Sequence, residues 1–419
     1  MHDHQIHQIV VVGAGLTGVM TALALSHCGY GSLSAPAVTL IDRANQTDTR
    51  PTTTPRDHRT TTINAAGMAM LNALGVWPLI VKSATPISHI KVAHGQPHRG
   101  RFSQQYRPEF SLEWHHDQLP MAYVVSNQDL IDALYDRLAT RPIIQITGHK
   151  VTGFDSGSDY ARLKFDHRPD LMCHLVVACD GAKSKLRDYA SIRALGEPHR
   201  QTAIVANLTS ERDHKNTAFQ RFLPSGPIAL MPYGRHRVSL VWSLQKDEAT
   251  RILALDDDKF SSLVMASFGE TLGGLQLDGL RLSWPLKPII THKVTGHNLI
   301  LAGDASHSIH PLAGQGYNLA LGDAAVLADC LAKANRRGLN AGHGSIRSEY
   351  SAGRRLEVTA MVALTSGLNQ LMSFQPTIAK IAGAGMSVVN HSPLKLLFQK
   401  SAMGGQLAQA NLLEGRLPE

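Results

Sequence analysis

Cysteine is scarce: there are four in 419 residues, at positions 28, 173, 179 and 330. None forms a C-x-x-C pair, and only Cys173 and Cys179 are near neighbours, flanking one predicted strand. This spacing excludes a disulfide framework and a zinc site, so no metal is expected and a reducing compartment is. Long apolar runs free of glycine are missing too. Ile9 to Leu25 is the most membrane-like stretch, but Gly13, Gly15 and Gly18 punctuate it, and a strand, turn and helix explain it better. The opening MHDHQIHQ lacks a cationic region followed by an apolar core and cleavage site, so no signal peptide is expected. Its His2, His4 and His7 are expected to lie in a frayed polar terminus. There is no internal repeat, no low-complexity tract and no zinc-finger or RNP-type pattern. The formal charge of +8 allows an acidic partner without pointing to nucleic acid.

What is present is length enough for two or more domains, and three strand ends marked by glycine. Ile9-Val10-Val11-Val12 predicts a strand buried on both faces. Gly13-Ala14-Gly15-Leu16-Thr17-Gly18 follows directly and opens a helix through Leu25. In G-x-G-x-x-G the first glycine makes the turn, the second admits a pyrophosphate, and the third lets helix and strand pack closely. A second strand, Ala37 to Ile41, ends at Asp42, which suits a ribose 2′-hydroxyl and argues against a 2′-phosphate.

The second marked end is Leu175 to Ala178, followed by Asp180-Gly181-Ala182-Lys183-Ser184-Lys185-Leu186-Arg187. An acid and a glycine there, then a helix with cationic residues, suit a nucleotide phosphate or ribose. The third is Leu299 to Ala302, a Gly303-Asp304 turn and a glycine-punctuated loop through Gly316, with a helix expected from about Asn318. Such a loop collects backbone N–H groups and a helix N-terminus at one point, an anion or electron-rich-ring site. Asp304 is placed to accept hydrogen bonds from sugar or ribityl hydroxyls.

Between these ends the chain makes two excursions. Arg59 to Asn64 leads into a helix from Ala65 to Leu74, closed by Gly75. The stretch from Trp77 to about Pro120 then leaves the nucleotide-type region. A strand at Tyr123 to Val125 enters a helix near Asn127, with an apolar stripe through Leu130, Leu134 and Leu138. Residues 200 to 284 are β-rich with at least one amphipathic helix between Lys246 and Leu280. Glu349 to Met372 reads as helical.

GAGLTG, DGAKSKLR and GDASHSIHPLAGQGYN in this order resemble the FAD-dependent aromatic hydroxylases built on the para-hydroxybenzoate hydroxylase fold. HPLAGQGYNLALGDA, RTTTINAAGMAMLNALGVW, FQRFLPSGPIALMPY with SLVWS, and GLNQLMS are similar to blocks of the ubiquinone-biosynthesis hydroxylases. The resemblance covers nearly the whole chain. It implies an α/β fold: a Rossmann-like FAD-binding domain (1–85, 121–199 and 285–345), an inserted α+β substrate domain with a β-sheet (86–120 and 200–284) and a C-terminal helical region (346–419). It implies that Gly13, Gly15, Gly18 and Asp42 hold the ADP half of FAD, and that Arg59 and Gln128 line the flavin-side groove. Asp180 would touch FAD and NAD(P)H, Asp304 would bind the ribityl chain, and the loop Gly314, Gln315, Gly316 to Asn318 would face the isoalloxazine ring. Ala320 stands where the family usually has glycine, and Gly322 where a larger or charged residue is common.

The chemistry implied is hydroxylation of an activated phenol ring by a flavin C4a-hydroperoxide formed with O2, the flavin being reduced by NAD(P)H or another donor. His307 and His310, flanking the flavin loop, are candidates for polar contact near the ring or for a proton path. A single G-x-G-x-x-G leaves no separate nicotinamide domain. The implied substrate is a polyprenylphenol and the implied site of action a cytoplasmic membrane surface, with other ubiquinone-biosynthesis proteins as partners. Pro393 to Met403 (PLKLLFQKSAM) offers an amphipathic docking surface, or else packs on the protein's own core. Two rival readings share the cofactor: a dehydrogenase or reductase of an isoprenoid, and a non-catalytic FAD-binding scaffold.

Overall fold

Val10 and Val12 of the first strand, His7–Val12, face one core, while Ile9 and Val11 face another. Burial on both faces is why the strand is an unbroken β-branched run instead of an alternation. The computed structural model describes residues 6–31, 37–45, 59–96, 107–115, 119–196, 201–286, 288–309, 316–373 and 409–418. His7–Val12 pairs in parallel with Leu171–Ala178 on one side and Val38–Ile41 on the other. Leu299–Leu301 and Ile143–Ile146 extend this array at its two flanks, again in parallel. Thr295–Gly296 adds an antiparallel edge, and Ala161–Phe165 with Val151–Ser156 forms a meander on Leu171–Ala178. Because the five main strands are parallel, their carboxyl ends share one edge, and the turns that follow them meet there.

The helices in chain order are α1 (Leu16–Leu25), α2 (Ala65–Ala73), α3 (Trp77–Ile80), α4 (Asn127–Leu138), α5 (Lys185–Tyr189), α6 (Lys246–Leu253), α7 (Asp257–Phe268), α8 (Gly316–Arg336) and α9 (Gly344–Ser373). Helices α1, α2, α4 and α8 share the core on the Ile9 face of the parallel sheet. Asn64 caps α2, its side chain accepting from Gly67 N at 2.8 Å, a contribution of about 1 kcal/mol. Gly75 ends that helical stretch at φ +72°, where a side chain would be strained.

A second sheet runs Leu275–Leu277, Gln201–Ser210, Arg237–Gln245, Gly226–Pro232, Thr217–Leu223, His89–Gln96, Arg107–His115. The two excursions join where Thr217–Leu223 pairs in parallel with His89–Gln96. Helices α6 and α7 cover this sheet through Ile252, Phe260, Val264 and Phe268. A small sheet of Thr60–Asn64, Ala122–Ser126 and Thr85–Ile87 bridges the two larger ones. Thr60 Oγ1 donates to Ser239 Oγ at 2.9 Å, and Gly234 N donates to Thr85 Oγ1 at 2.8 Å.

The chain returns at its end to α8 and α2. A turn at Asn411–Glu414 buries Leu412 and Leu413 in the core of the parallel sheet. Asn411 fastens it to α8 through Asp329, with N to Oδ2 at 2.9 Å and Nδ2 to Oδ1 at 3.3 Å.

Several local expectations are corrected. His7 is not frayed: it opens the first strand, with Nδ1 2.8 Å from Thr39 Oγ1. Cys173 lies inside its strand, since pairing with the meander carries that strand back to Leu171. Helix α8 starts at Gly316, two residues early. Helix α9 starts at Gly344, because Ile346 and Tyr350, one turn apart, are both buried although the residues around them are polar. Among the described residues no helix is long and apolar enough to cross a membrane. Pro393 to Met403 lies outside the described residues.

Candidate functional site

The strand ends are knitted together by their backbones. Gly13 N donates to Ile41 O at 2.8 Å, Cys179 N to Val12 O at 2.8 Å, and Ala302 N to Ala178 O at 3.0 Å. The three marked turns therefore form one continuous rim.

The glycines of the first turn differ in what surrounds them. Gly13 has φ +105°, and a Cβ there would lie 2.4 Å from Cys179 O. A Cβ on Gly18 would run into Gly13 O. Among the described residues, a Cβ added to Gly15, the N-cap of α1, would meet nothing within 4 Å, and the same holds for Gly181 and Gly316. Two glycines thus close the turn, and three face open space along the rim, as a cradle for a ligand backbone requires.

Two carboxylates of the rim are poised for a partner. Asp180 Oδ2 accepts from Lys185 N at 2.8 Å and Leu186 N at 3.3 Å, while its buried Oδ1 has no partner among the described residues. Such an acceptor costs about 1–3 kcal/mol until a donor arrives. Asp304 is solvent-exposed in side-chain area, yet burial by surrounding protein raises its pKa, with the charge of His307 opposing. Asp42 spends both oxygens locally, accepting from Ala14 N and from Ala44 N at 2.7 Å, and so ties the second strand to the first turn.

The remaining sequence candidates fall as follows. The Arg59 guanidinium lies 4.9 Å over the ring of Trp284, which is 58% exposed. Gln128 Nε2 is 3.2 Å from both oxygens of Asp132, one turn along α4. The Asn318 side chain joins two elements of the fold. Its Oδ1 accepts from Asn64 N at 3.0 Å and its Nδ2 donates to Thr62 O at 2.9 Å, so it clamps α8 to the small sheet. His307 is buried with Nε2 2.7 Å from Asp323 Oδ2, which commits that nitrogen to the protein. His310, Gly314 and Gln315 lie outside the described residues.

Three charged residues take roles that the sequence does not announce. Arg187 belongs to the cationic helix start read as a phosphate contact, but it is buried: Nη1 donates to Ala305 O at 3.1 Å and Nη2 to Ala182 O at 3.0 Å. It staples the second turn to the third. Asp323 and Arg354 pair at 2.7 Å, both buried. A local signal for Asp323 existed, an acid inside the apolar run LALGDAAVL. Nothing local marks Arg354. The rim can hold an extended, hydroxyl-bearing dinucleotide with its pyrophosphate at the N-terminus of α1.

The family described as FAD binding domain matches residues 7–365. The ubiquinone hydroxylase UbiL of Rhodospirillum rubrum is 34% identical over 408 residues, covering 96% of this chain and 90% of that protein. The mouse mitochondrial ubiquinone biosynthesis monooxygenase COQ6 is 27% identical, covering 93% of this chain and 89% of its own length. Among solved structures, p-nitrophenol 4-monooxygenase of Pseudomonas putida shares the fold with a TM-score of 0.73 at 18% identity, covering 96% of this chain and 97% of that one.

Proposed function

The chain belongs to the FAD-binding-domain family, and on that premise we propose that it is an FAD-dependent monooxygenase that hydroxylates the aromatic ring of a polyprenylated phenol on the route to ubiquinone. Near-full-length likeness to a ubiquinone hydroxylase carries this reading. Open space at Gly15, Gly181 and Gly316, with unspent acceptor capacity at Asp180, fits FAD along the rim.

When bound, FAD supplies the redox chemistry, with O2 as co-substrate and NAD(P)H or another donor as transient reductant. The chain binds and orients. Gly13, Gly15, Gly18 and the start of α1 receive the pyrophosphate, and Asp42 stands at the adenosine ribose. Asp304 accepts from the ribityl hydroxyls. Asp180 offers Oδ1 to a further donor. Arg59 and Gln128 line the groove, and the loop of Gly314, Gln315 and Gly316 lies along the ring. His307 and His310 are candidates for polar contact near the ring or for a proton path. Residues 1–85, 121–199 and 285–345 form the FAD-binding domain, 86–120 and 200–284 the substrate domain, and 346–419 the C-terminal region.

A long prenyl tail gains about 0.8 kcal/mol per buried CH2, so it stays in lipid or in an apolar tunnel, and the enzyme works at a membrane surface. The basic net charge favours an anionic leaflet. The test is turnover under ¹⁸O2: purified protein, FAD, a reductant and a polyprenylphenol should yield product carrying one labelled oxygen. A dehydrogenated product, or hydroxylation with unlabelled oxygen, would overturn the reading.

A further inference from the structure

Asp323, two turns into α8, is the hub of a buried polar cluster. Its Oδ2 accepts from Gly303 N at 2.8 Å and lies 2.7 Å from His307 Nε2, while its Oδ1 accepts from Arg354 Nε at 2.7 Å. Arg354 comes from α9 and is fully buried. Its Nη1 donates to Glu357 at 2.5 Å and its Nη2 to Leu319 O at 3.0 Å. One turn earlier on α9, Tyr350 OH donates to Leu301 O at 2.9 Å. Helix α9 thus grips both the strand Leu299–Leu301 and, through Asp323, the turn that follows it. That turn carries Asp304.

Gly322 makes the arrangement possible. A Cβ there would lie 2.9 Å from Arg354 Nη1 and 3.0 Å from Nη2. The missing side chain leaves room for a guanidinium to lie against α8.

We infer that Arg354 is a positioning residue for the cofactor: acting through Asp323, it fixes the Gly303–Asp304 turn and so sets affinity for the hydroxyl-bearing chain that Asp304 binds. The inference rests on the FAD reading and deepens it. Without Arg354, Asp323 keeps a buried charge opposed only by His307, and a buried ion stripped of its partner protonates, draws in water or moves. Each outcome loosens its bond to Gly303 N–H. Asp304 is the next residue, and displacements near 1 Å at a binding group are enough to change binding strongly.

The test is titration of folded apoprotein with FAD, followed by flavin fluorescence, with thermal unfolding recorded on the same samples. Arg354→Met should raise the FAD Kd at least tenfold. Arg354→Lys, which keeps a cation beside Asp323, should recover most of that loss. Gly322→Ala should raise Kd several-fold in the native background and add nothing in Arg354→Met, where its methyl meets no guanidinium. A fall in melting temperature with Kd unchanged within twofold, or strictly additive effects, would overturn the inference. If Arg354→Met does not fold, Gly322→Ala decides alone, and a folded variant with native Kd rejects it. Failure of the native chain to bind FAD would instead remove the parent reading, and this inference with it.

Discussion

Gly303 rests on Thr17: a methyl group added to Gly303 would lie 2.8 Å from Thr17 Cγ2. The third marked turn is therefore seated on the first turn of α1, although the two residues are nearly three hundred positions apart. Gly303 also has φ +58°, a left-handed backbone that a side chain resists.

Gly303→Ala should accordingly cost about 1–3 kcal/mol in stability, from strain and contact together. It should also lower flavin content, because Asp304 follows the displaced residue. Denaturant unfolding and the flavin-to-protein ratio of purified protein are the measurements. Native stability in this variant would contradict the seating on Thr17.

Gly15→Val should separate folding from binding. Gly15 has extended backbone angles and open space at Cβ, so valine fits the apoprotein. The added side chain occupies the approach of the pyrophosphate. Expected are a near-native apoprotein melting temperature and loss of FAD binding. Gly18→Ala, which collides with Gly13 O, should instead fail to fold. A fully flavinated Gly15→Val protein would reduce GAGLTG to a packing turn.

Asp304→Ala removes a charge-assisted acceptor, worth about 1.5–3 kcal/mol, so FAD should bind roughly 10- to 150-fold more weakly. The flavin is expected to be non-covalent, since no linking His or Cys motif is evident. Acid precipitation of the native protein should leave yellow colour in the supernatant, and colour retained in the pellet would count against this.

Asp323→Asn probes acid stability. Burial alone would raise the Asp323 pKa, but the charges of His307 and Arg354 outweigh it and hold the group below the usual carboxylate range. A depressed folded-state pKa stabilises the fold above the unfolded value, about 3.9, and that stability is lost as pH falls through the depressed one. Removing the charge should cost about 3–5 kcal/mol at neutral pH. The stability gap between native and variant protein should stay flat from pH 7 to about 5 and narrow below about 4. A gap independent of pH down to the acid transition would show that Asp323 is not ionised in the fold.

Membrane docking by Pro393 to Met403 is best tested by substitution within it. Truncation after Ser392 would also remove Leu412 and Leu413 from the core and Asn411 from Asp329. Leu412→Ala alone should cost about 2–5 kcal/mol. Replacing Leu394 and Leu397 by Asp should weaken flotation with anionic liposomes while leaving unfolding unchanged. Equal flotation, or none for either protein, would sink the docking role.

How much of this was legible beforehand follows from range. GAGLTG, the strand ends and the acids at 42, 180 and 304 are local signals, because turn geometry and strand burial are written within a few residues. The partners of buried polar groups are not. Arg187 finds Ala305 across 118 positions, and Asn318 finds Asn64 across 254. No spacing rule announces that Arg187 will turn from solvent to two carbonyls, or that Asn318 will clamp a strand. Asp323 carries a local sign, an acid among apolar neighbours, but nothing near it names His307 or Arg354 as its partners.

The strand order of the parallel sheet bears on how the protein is made. Ile9 pairs with Leu175, and Val176 with Leu299, so the flank that carries Asp304 is absent until roughly the last third of the chain leaves the ribosome. At about 5–20 residues per second, the strand Leu171–Ala178 waits on the order of ten seconds for that neighbour. In the interval Val176 and Val177 present a bare edge, the kind of surface that recruits chaperones or foreign strands. Nascent chains stalled before residue 299 should therefore bind no flavin and should aggregate.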